Sequence, residues 1–291
     1  MPDNLASLDA LRRDIDEIDD RLAALLADRA GAVARVAEIK AKNGAASTPM
    51  RPAREAAIVR RRIEAGAGAL PPFVLARLWR ELIAAFCRIQ GPLSVTVCAP
   101  GKPVGYWDLA RDHFGSATPM TLHQSPNLVL RAVADGSMTV GILPMPVDED
   151  LDPWWGKLSQ TDPSPVRVIA RLPFCDNAVG RTEQLEAMVV ARLDIEETGD
   201  DRSLFVLSTS ADVSRASLNS AIAAAGFEGR SMAALASVEP DEPRLHLFEV
   251  DGFFADGDSR IVEFAGQIGG ADASVQRVGG YATPIAPAPA E

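Results

Sequence analysis

The chain has 291 residues, 47% of them hydrophobic, which is enough for two or three packed domains and too apolar for wholesale disorder. Its formal charge of −11 argues against nucleic acid and anionic membrane as partners of the whole chain, and makes any cluster of cations informative. The opening MPDNLASLDA has no basic segment followed by an apolar run, and no apolar stretch reaches membrane-spanning length. Cys87, Cys98 and Cys175 are too widely spaced for a disulfide framework or a zinc site, so a cytoplasmic protein without a metal is expected.

Residues 5–43 read as one long helix. Leu8, Leu11, Ile15, Ile18, Leu22 and Leu25 alternate spacings of three and four, which is one helical face. Gly44 and the small polar run to Pro49 end it. A second helix begins near Pro52, a residue suited to a first helical turn, and runs to about Ala65. A third covers about 72–89, with Val74, Leu78, Leu82, Ile83 and Phe86 as its apolar side, and Gly91-Pro92 stops it.

Strands and helices then alternate, as in an α/β unit. LSVTVCAP (93–100) reads as a buried strand, LARDHFG and NLVLRAVADG as helices, and MTVGILPM as a strand. VRVIARLPF and EAMVVARLDI are further strands, and Trp154-Trp155 reads as packing for this part. From about Asp200 come strand SLFVLST, helix SRASLNSAIAAAGF, strand RLHLFEVDGFF and a helix from Ser259, which fits a small ferredoxin-like domain. The closing ATPIAPAPAE is a Pro/Ala tail expected to be disordered. His113, His123 and His246 are scattered and form no ligand set.

The first helix carries an anomaly. Its apolar alternation continues to 29, 32, 36 and 39, so Arg29 falls where a leucine belongs. Lys40 comes 11 residues later, about 20° away around the axis. A desolvated cation is costly unless an anion pairs with it. One such residue is ordinarily a snorkelling side chain, or a partner of an internal carboxylate such as Glu38 or Glu55. Two on one core-facing stripe point to a buried pocket for a small anion, walled by the helix bundle.

LRRDIDEIDDRLAALLADR…VAEIK, then RPAREA, then RLWRELIAAFCRIQ, resemble the all-helical chorismate mutases. The likeness is strongest to the mutase domain at the front of bifunctional chorismate mutase–prephenate dehydratases, and it covers residues 5–92. It implies a three-helix domain forming an intertwined dimer, and a cofactor-free pericyclic rearrangement of the small molecule chorismate to prephenate in aromatic amino-acid biosynthesis. No nucleophile, metal or general base is needed. The enzyme holds a compact conformer and stabilises negative charge growing on the ether oxygen. By resemblance, Arg12 and Arg29 bind the two carboxylates, as a guanidinium fork suits them. Lys40 and Gln90 donate to the ether oxygen, Glu55 accepts from the ring hydroxyl, and Arg54 supports substrate binding. Phe86 departs from the pattern, since relatives commonly have a serine there that holds the ring carboxylate.

Helix geometry adds a constraint. Arg12 and Lys40 are 28 residues apart, about 42 Å along one helix, which no small molecule spans. If both serve one site, Arg12 comes from another chain, most simply in a C2 homodimer with two shared sites.

Residues 93–195 resemble the first lobe of a prephenate dehydratase, and the remainder resembles the regulatory ACT domain that follows it. APGKPVGYWDLARDHFG lies where such enzymes have a G-P-E-G-T-F segment, GILPMPVDED where they have P-I-E-N, and EAMVVA where they have a catalytic T-R-F. Glu186, Ala187 and Met188 replace that trio, and only residues 175–185 separate IARLPF from EAMVVA, where relatives insert a second lobe. A lobe without dehydratase activity is therefore expected. The ACT-like part has DVSRASL and ASVEP where relatives frame an aromatic amino acid, so a packing or dimerisation role is expected of it.

The expected organisation is a chorismate mutase domain (1–92), a degenerate dehydratase-like α/β lobe (93–195), an ACT-like ferredoxin-like α+β domain (196–280) and a disordered tail (281–291). The rival functions are an isochorismate pyruvate-lyase on the same fold, an active bifunctional enzyme, and a non-catalytic regulatory subunit.

Overall fold

The structure is a computed structural model that describes residues 8–42, 48–101, 103–148, 153–159, 165–175, 185–210, 212–235, 243–269 and 273–286. The chain divides into two compact units, residues 1–49 with 86–92, and residues 50–85 with 93–291.

The first unit is dominated by α1 (Leu8–Lys42), a single unbroken helix of 35 residues. Residues 5–7 and 43 of the expected helix lie outside the described residues. The apolar stripe does not meet the expectation of a core-facing surface within one chain. No residue of α1 is buried, and Leu8, Leu25 and Ile39 are each about 60% exposed (63%, 64% and 59%). The reason is simple: within this unit only the short segment 86–92 is available to cover a helix about 52 Å long.

The second unit opens with α2 (Pro52–Ala65), which has proline in its first turn, and the first part of α3 (Pro72–Gln90). The buried face of α3 is broader than the expected one: Ile83 and Phe86 are buried and Val74 and Leu82 half-buried, Leu78 is 52% exposed, and Leu75, Ala76, Arg80, Ala84 and Cys87 are buried as well. The strands that follow are β1 (Val95–Cys98), β2 (Met120–His123), β3 (Val140–Pro144), β4 (Arg167–Leu172) and β5 (Ala187–Ala191). Helices α4 (Pro103–Phe114) and α5 (Pro126–Ala134) connect the first three, which run parallel with β1 in the middle. Every residue of β1 is buried, as suits a central parallel strand. Trp154 and Trp155, in a 3-10 turn (Trp154–Ser159), are each 1% exposed, and the Trp154 indole N–H donates to the Pro144 carbonyl at 3.1 Å.

The last part runs β6 (Asp201–Thr209), α6 (Arg215–Ala224), β7 (Gly229–Leu235), β8 (Arg244–Asp251), α7 (Ser259–Gly269) and β9 (Ser274–Ala282). This is β-α-β-β-α-β, with antiparallel strands ordered β9-β6-β8-β7, the ferredoxin-like arrangement. Phe205, Phe248, Phe254 and Phe264 pack with Leu218 and Ile222 of α6 as its core. The segment ASVEP (236–240) lies outside the described residues.

The α/β and ferredoxin-like parts are not separate sheets. The nine strands among the described residues form one sheet, β2-β1-β3-β5-β4-β9-β6-β8-β7, joined where β4 runs parallel to β9 at Val168 and Gly279. Gly279, at φ +156°, is required there, because a Cβ would sit 2.4 Å from the Val168 carbonyl oxygen. Arg167 reinforces the seam with a two-pronged ion pair to Asp256 (2.9 and 2.6 Å). The tail expected to be disordered from residue 281 is ordered as far as 286. Tyr281 is buried, its hydroxyl donating to the fully buried Glu249 carboxylate at 2.6 Å, and the Ile285 N–H donates to the Phe174 carbonyl at 2.7 Å. Residues 287–291 lie outside the described residues.

Candidate functional site

Three of the expected site residues gather in the first unit, where α1 meets the end of α3. Lys40 Nζ donates to Gln90 Oε1 at 3.2 Å, and Gln90 Nε2 donates to the backbone carbonyl of Phe86 at 3.3 Å, one turn earlier. The Arg29 guanidinium carbon lies 4.6 Å from the centre of the Phe86 ring. Arg29 and Lys40 are half-buried and Phe86 is buried. The site is therefore two cations, an amide and an aromatic face. Its chemistry is that of an anion receptor with neutral and cationic donors, and none of the four side chains carries an acid or a nucleophile.

Phe86 explains how the departure from the family pattern is accommodated. A phenyl ring cannot donate a hydrogen bond, but its face attracts a guanidinium and fixes the plane of the fork. Gln90 keeps one amide hydrogen beyond the bond to Phe86, so it can still donate to a ligand.

The other expected residues are placed elsewhere. Arg12 is on α1, about 42 Å from Lys40 along the same straight run of helix, with its guanidinium 3.3 Å from Asp9 and well exposed. Arg54 is exposed on the first turn of α2. Glu55, next to it, is buried in the second unit. Its Oε1 accepts from the Arg51 backbone N–H at 3.1 Å, closing the start of α2, and its Oε2 lies 3.4 Å from Arg80 Nη1.

Arg80 is the residue that sequence reasoning missed. Only a buried arginine on a helix with an otherwise apolar face could have marked it, and the expected apolar side of α3 did not extend to residue 80. Close by, half-buried His113 has its pKa held well below the usual histidine value, first by desolvation and then by the Arg80 charge, so it is neutral.

At the position of the dehydratase trio, Ala187 and Met188 are fully buried in β5 and Glu186 is paired with Arg171 at 2.7 Å. No helix among the described residues is long and apolar enough to cross a membrane.

Residues 11–91 match the chorismate mutase type II family, so the N-terminal part of this chain is a chorismate mutase type II domain. A bifunctional chorismate mutase/prephenate dehydratase of Pseudomonas aeruginosa is 32% identical over 141 residues, which covers 47% of this chain and 38% of that protein. The protein of the same description from Stutzerimonas stutzeri is 29% identical over 141 residues, with the same coverage. The match thus spans 38% of the length of these curated relatives. Among solved structures, a prephenate dehydratase from Streptococcus mutans superposes with a TM-score of 0.43 at 13% identity, covering 66% of this chain and 98% of that one.

Proposed function

We propose that this protein is a chorismate mutase, converting chorismate to prephenate by a cofactor-free pericyclic rearrangement in aromatic amino-acid biosynthesis. It acts as a homodimer with shared sites, in the cytoplasm, and its C-terminal part is non-catalytic. The gathering of Arg29, Lys40 and Gln90 at one end of α1, inside the matched residues, carries this reading. Arg29, with Arg12 of a second chain, holds the two carboxylates. Lys40 and Gln90 donate to the ether oxygen as charge grows on it. Glu55 accepts from the ring hydroxyl, and Arg54 supports binding. The exposed stripe of α1 supports the dimer, because a helix with such an uncovered apolar face needs a partner surface. The ferredoxin-like part is read as an ACT-type module with a packing role.

The purified protein is expected to consume chorismate and yield prephenate, with no enzyme-dependent phenylpyruvate at neutral pH, each product measured separately. Acid is avoided, because prephenate decomposes in it unaided. Phenylpyruvate formed at neutral pH would show an active dehydratase despite Ala187 and Met188. Conversion of isochorismate in preference to chorismate would instead favour a lyase.

Phe86→Leu tests the aromatic face. Leucine keeps an apolar side chain but not the ring, so KM for chorismate should rise about threefold, the scale of a partly exposed cation–π contact. Steady-state kinetics with an unchanged circular dichroism spectrum would show this; an unchanged KM would mean that the ring does not orient Arg29.

A further inference from the structure

The second unit grips α2 through one aromatic ring. Phe174 follows β4 and is buried. The Arg80 guanidinium carbon lies 4.7 Å from its ring centre, and that of Arg60 lies 5.9 Å away. Arg60, on α2, donates to Thr198 Oγ1 (2.9 Å) and to the carbonyls of Asp200 and Thr283 (2.8 Å each), at the ends of β6 and β9. Arg80, on α3, pairs with Glu55, the carboxylate that closes the start of α2.

We propose that Phe174 is a positioning residue for Glu55, acting through Arg80, so that the C-terminal sheet is a working component of the mutase rather than a vestige. This rests on the reading of the chain as a mutase in which Glu55 meets the ring hydroxyl. The Arg80 and Glu55 side chains are only 6% and 11% exposed, so their ion pair lies largely out of solvent. The cleft beside Arg80, about 50 Å³, is lined by Phe73, Leu109 and Leu172 as well as Phe174. His113 borders the same cleft and is neutral, so it does not compete for the carboxylate. The Phe174 ring face helps to orient the guanidinium plane toward Glu55, since a cation is drawn to a π face. Without the ring the Arg80 guanidinium loses a face that orients it, and the Glu55 carboxylate, still bonded to the Arg51 N–H, shifts with it.

A double-mutant cycle in the full-length protein tests this, with kcat and KM for chorismate as the readout. Phe174→Leu should lower kcat/KM roughly fivefold, while Phe174→Tyr, which keeps the ring face, should stay within about twofold of the unaltered chain. Glu55→Gln should lower it further, and adding Phe174→Leu to Glu55→Gln should change nothing more, because the ring acts only through that carboxylate. Should Phe174→Leu fail to fold, Arg80→Lys carries the same cycle, keeping the charge but losing the planar group that stacks. Independent, multiplying losses, or no loss in either variant, overturn the positioning role. An unaltered chain that leaves chorismate untouched overturns the mutase reading itself, before the cycle is run.

Discussion

Arg29→Ala is expected to leave a folded protein whose kcat/KM for chorismate is lower by about 100-fold or more. The fold should survive because Arg29 is half-buried on a helix surface, and alanine is the better helix former. Among what the substitution removes from the free protein is the contact with the Phe86 ring, about 0.5–1 kcal/mol. What it removes from the reaction is larger. A guanidinium fork on a carboxylate, in a partly dry site, contributes several kcal/mol, and about 2.7 kcal/mol already equals 100-fold. Lys40→Ala should fall by a similar factor, since on the proposed reading it removes the cationic donor to the ether oxygen and leaves the neutral Gln90 amide. Chorismate disappearance, followed alongside a thermal melt, separates the two effects. A folded Arg29→Ala protein within a few-fold of the unaltered rate would remove the anion pocket from the account.

The second large effect is a recovery. Arg12→Ala and Arg29→Ala homodimers should each be nearly inactive, because every site lacks one arginine. When the two are unfolded, mixed in equal amounts and refolded, random pairing makes about half the dimers mixed. In a mixed dimer one site takes Arg29 from one chain and Arg12 from the other and is whole, while its twin lacks both. Activity should therefore return to about a quarter of that of the unaltered protein refolded in parallel. The expectation rests on α1 being a single helix from Leu8 to Lys42. With a rise of about 1.5 Å per residue, Arg12 reaches the ligand of Lys40 only from a neighbouring chain. Mixed dimers confirmed by mass but without activity would place each site within one chain, and Arg12 outside it.

The helices were legible because their signals are local. Proline at 52 and at 72 starts α2 and α3, and the apolar alternation of α1 runs for about five turns, from Leu8 to Leu25, before Arg29 interrupts it. The strands that escaped notice lack local signals. β2 is a four-residue edge strand with its middle residues exposed, and β7, GRSMAAL, is made of residues with little preference for strands. β9 carries two adjacent glycines, one of which exists to let Val168 approach. Each of these is a strand because of what it pairs with. The site divides in the same way. Lys40 and Gln90 sit on faces that periodicity and resemblance could bring together, and they do meet. The surroundings of Glu55 could not be read, because Arg80 and Phe174 become its neighbours only when the sheet closes on α2.

The seam at Val168 and Gly279 bears on how an effector of the ferredoxin-like module could be felt elsewhere. Domain rotation needs a few linking residues free to absorb large backbone changes. Here the linkage is a strand pair, clamped by Arg167 on Asp256 and followed by a second bridge between Cys175 and Ile285, immediately beside Phe174. These pairings oppose a hinge rotation at that place. A ligand of the module would be communicated as stiffness, by damping the strand ends that support the Phe174 ring, and its signature would be altered protection of backbone amides rather than a change of shape.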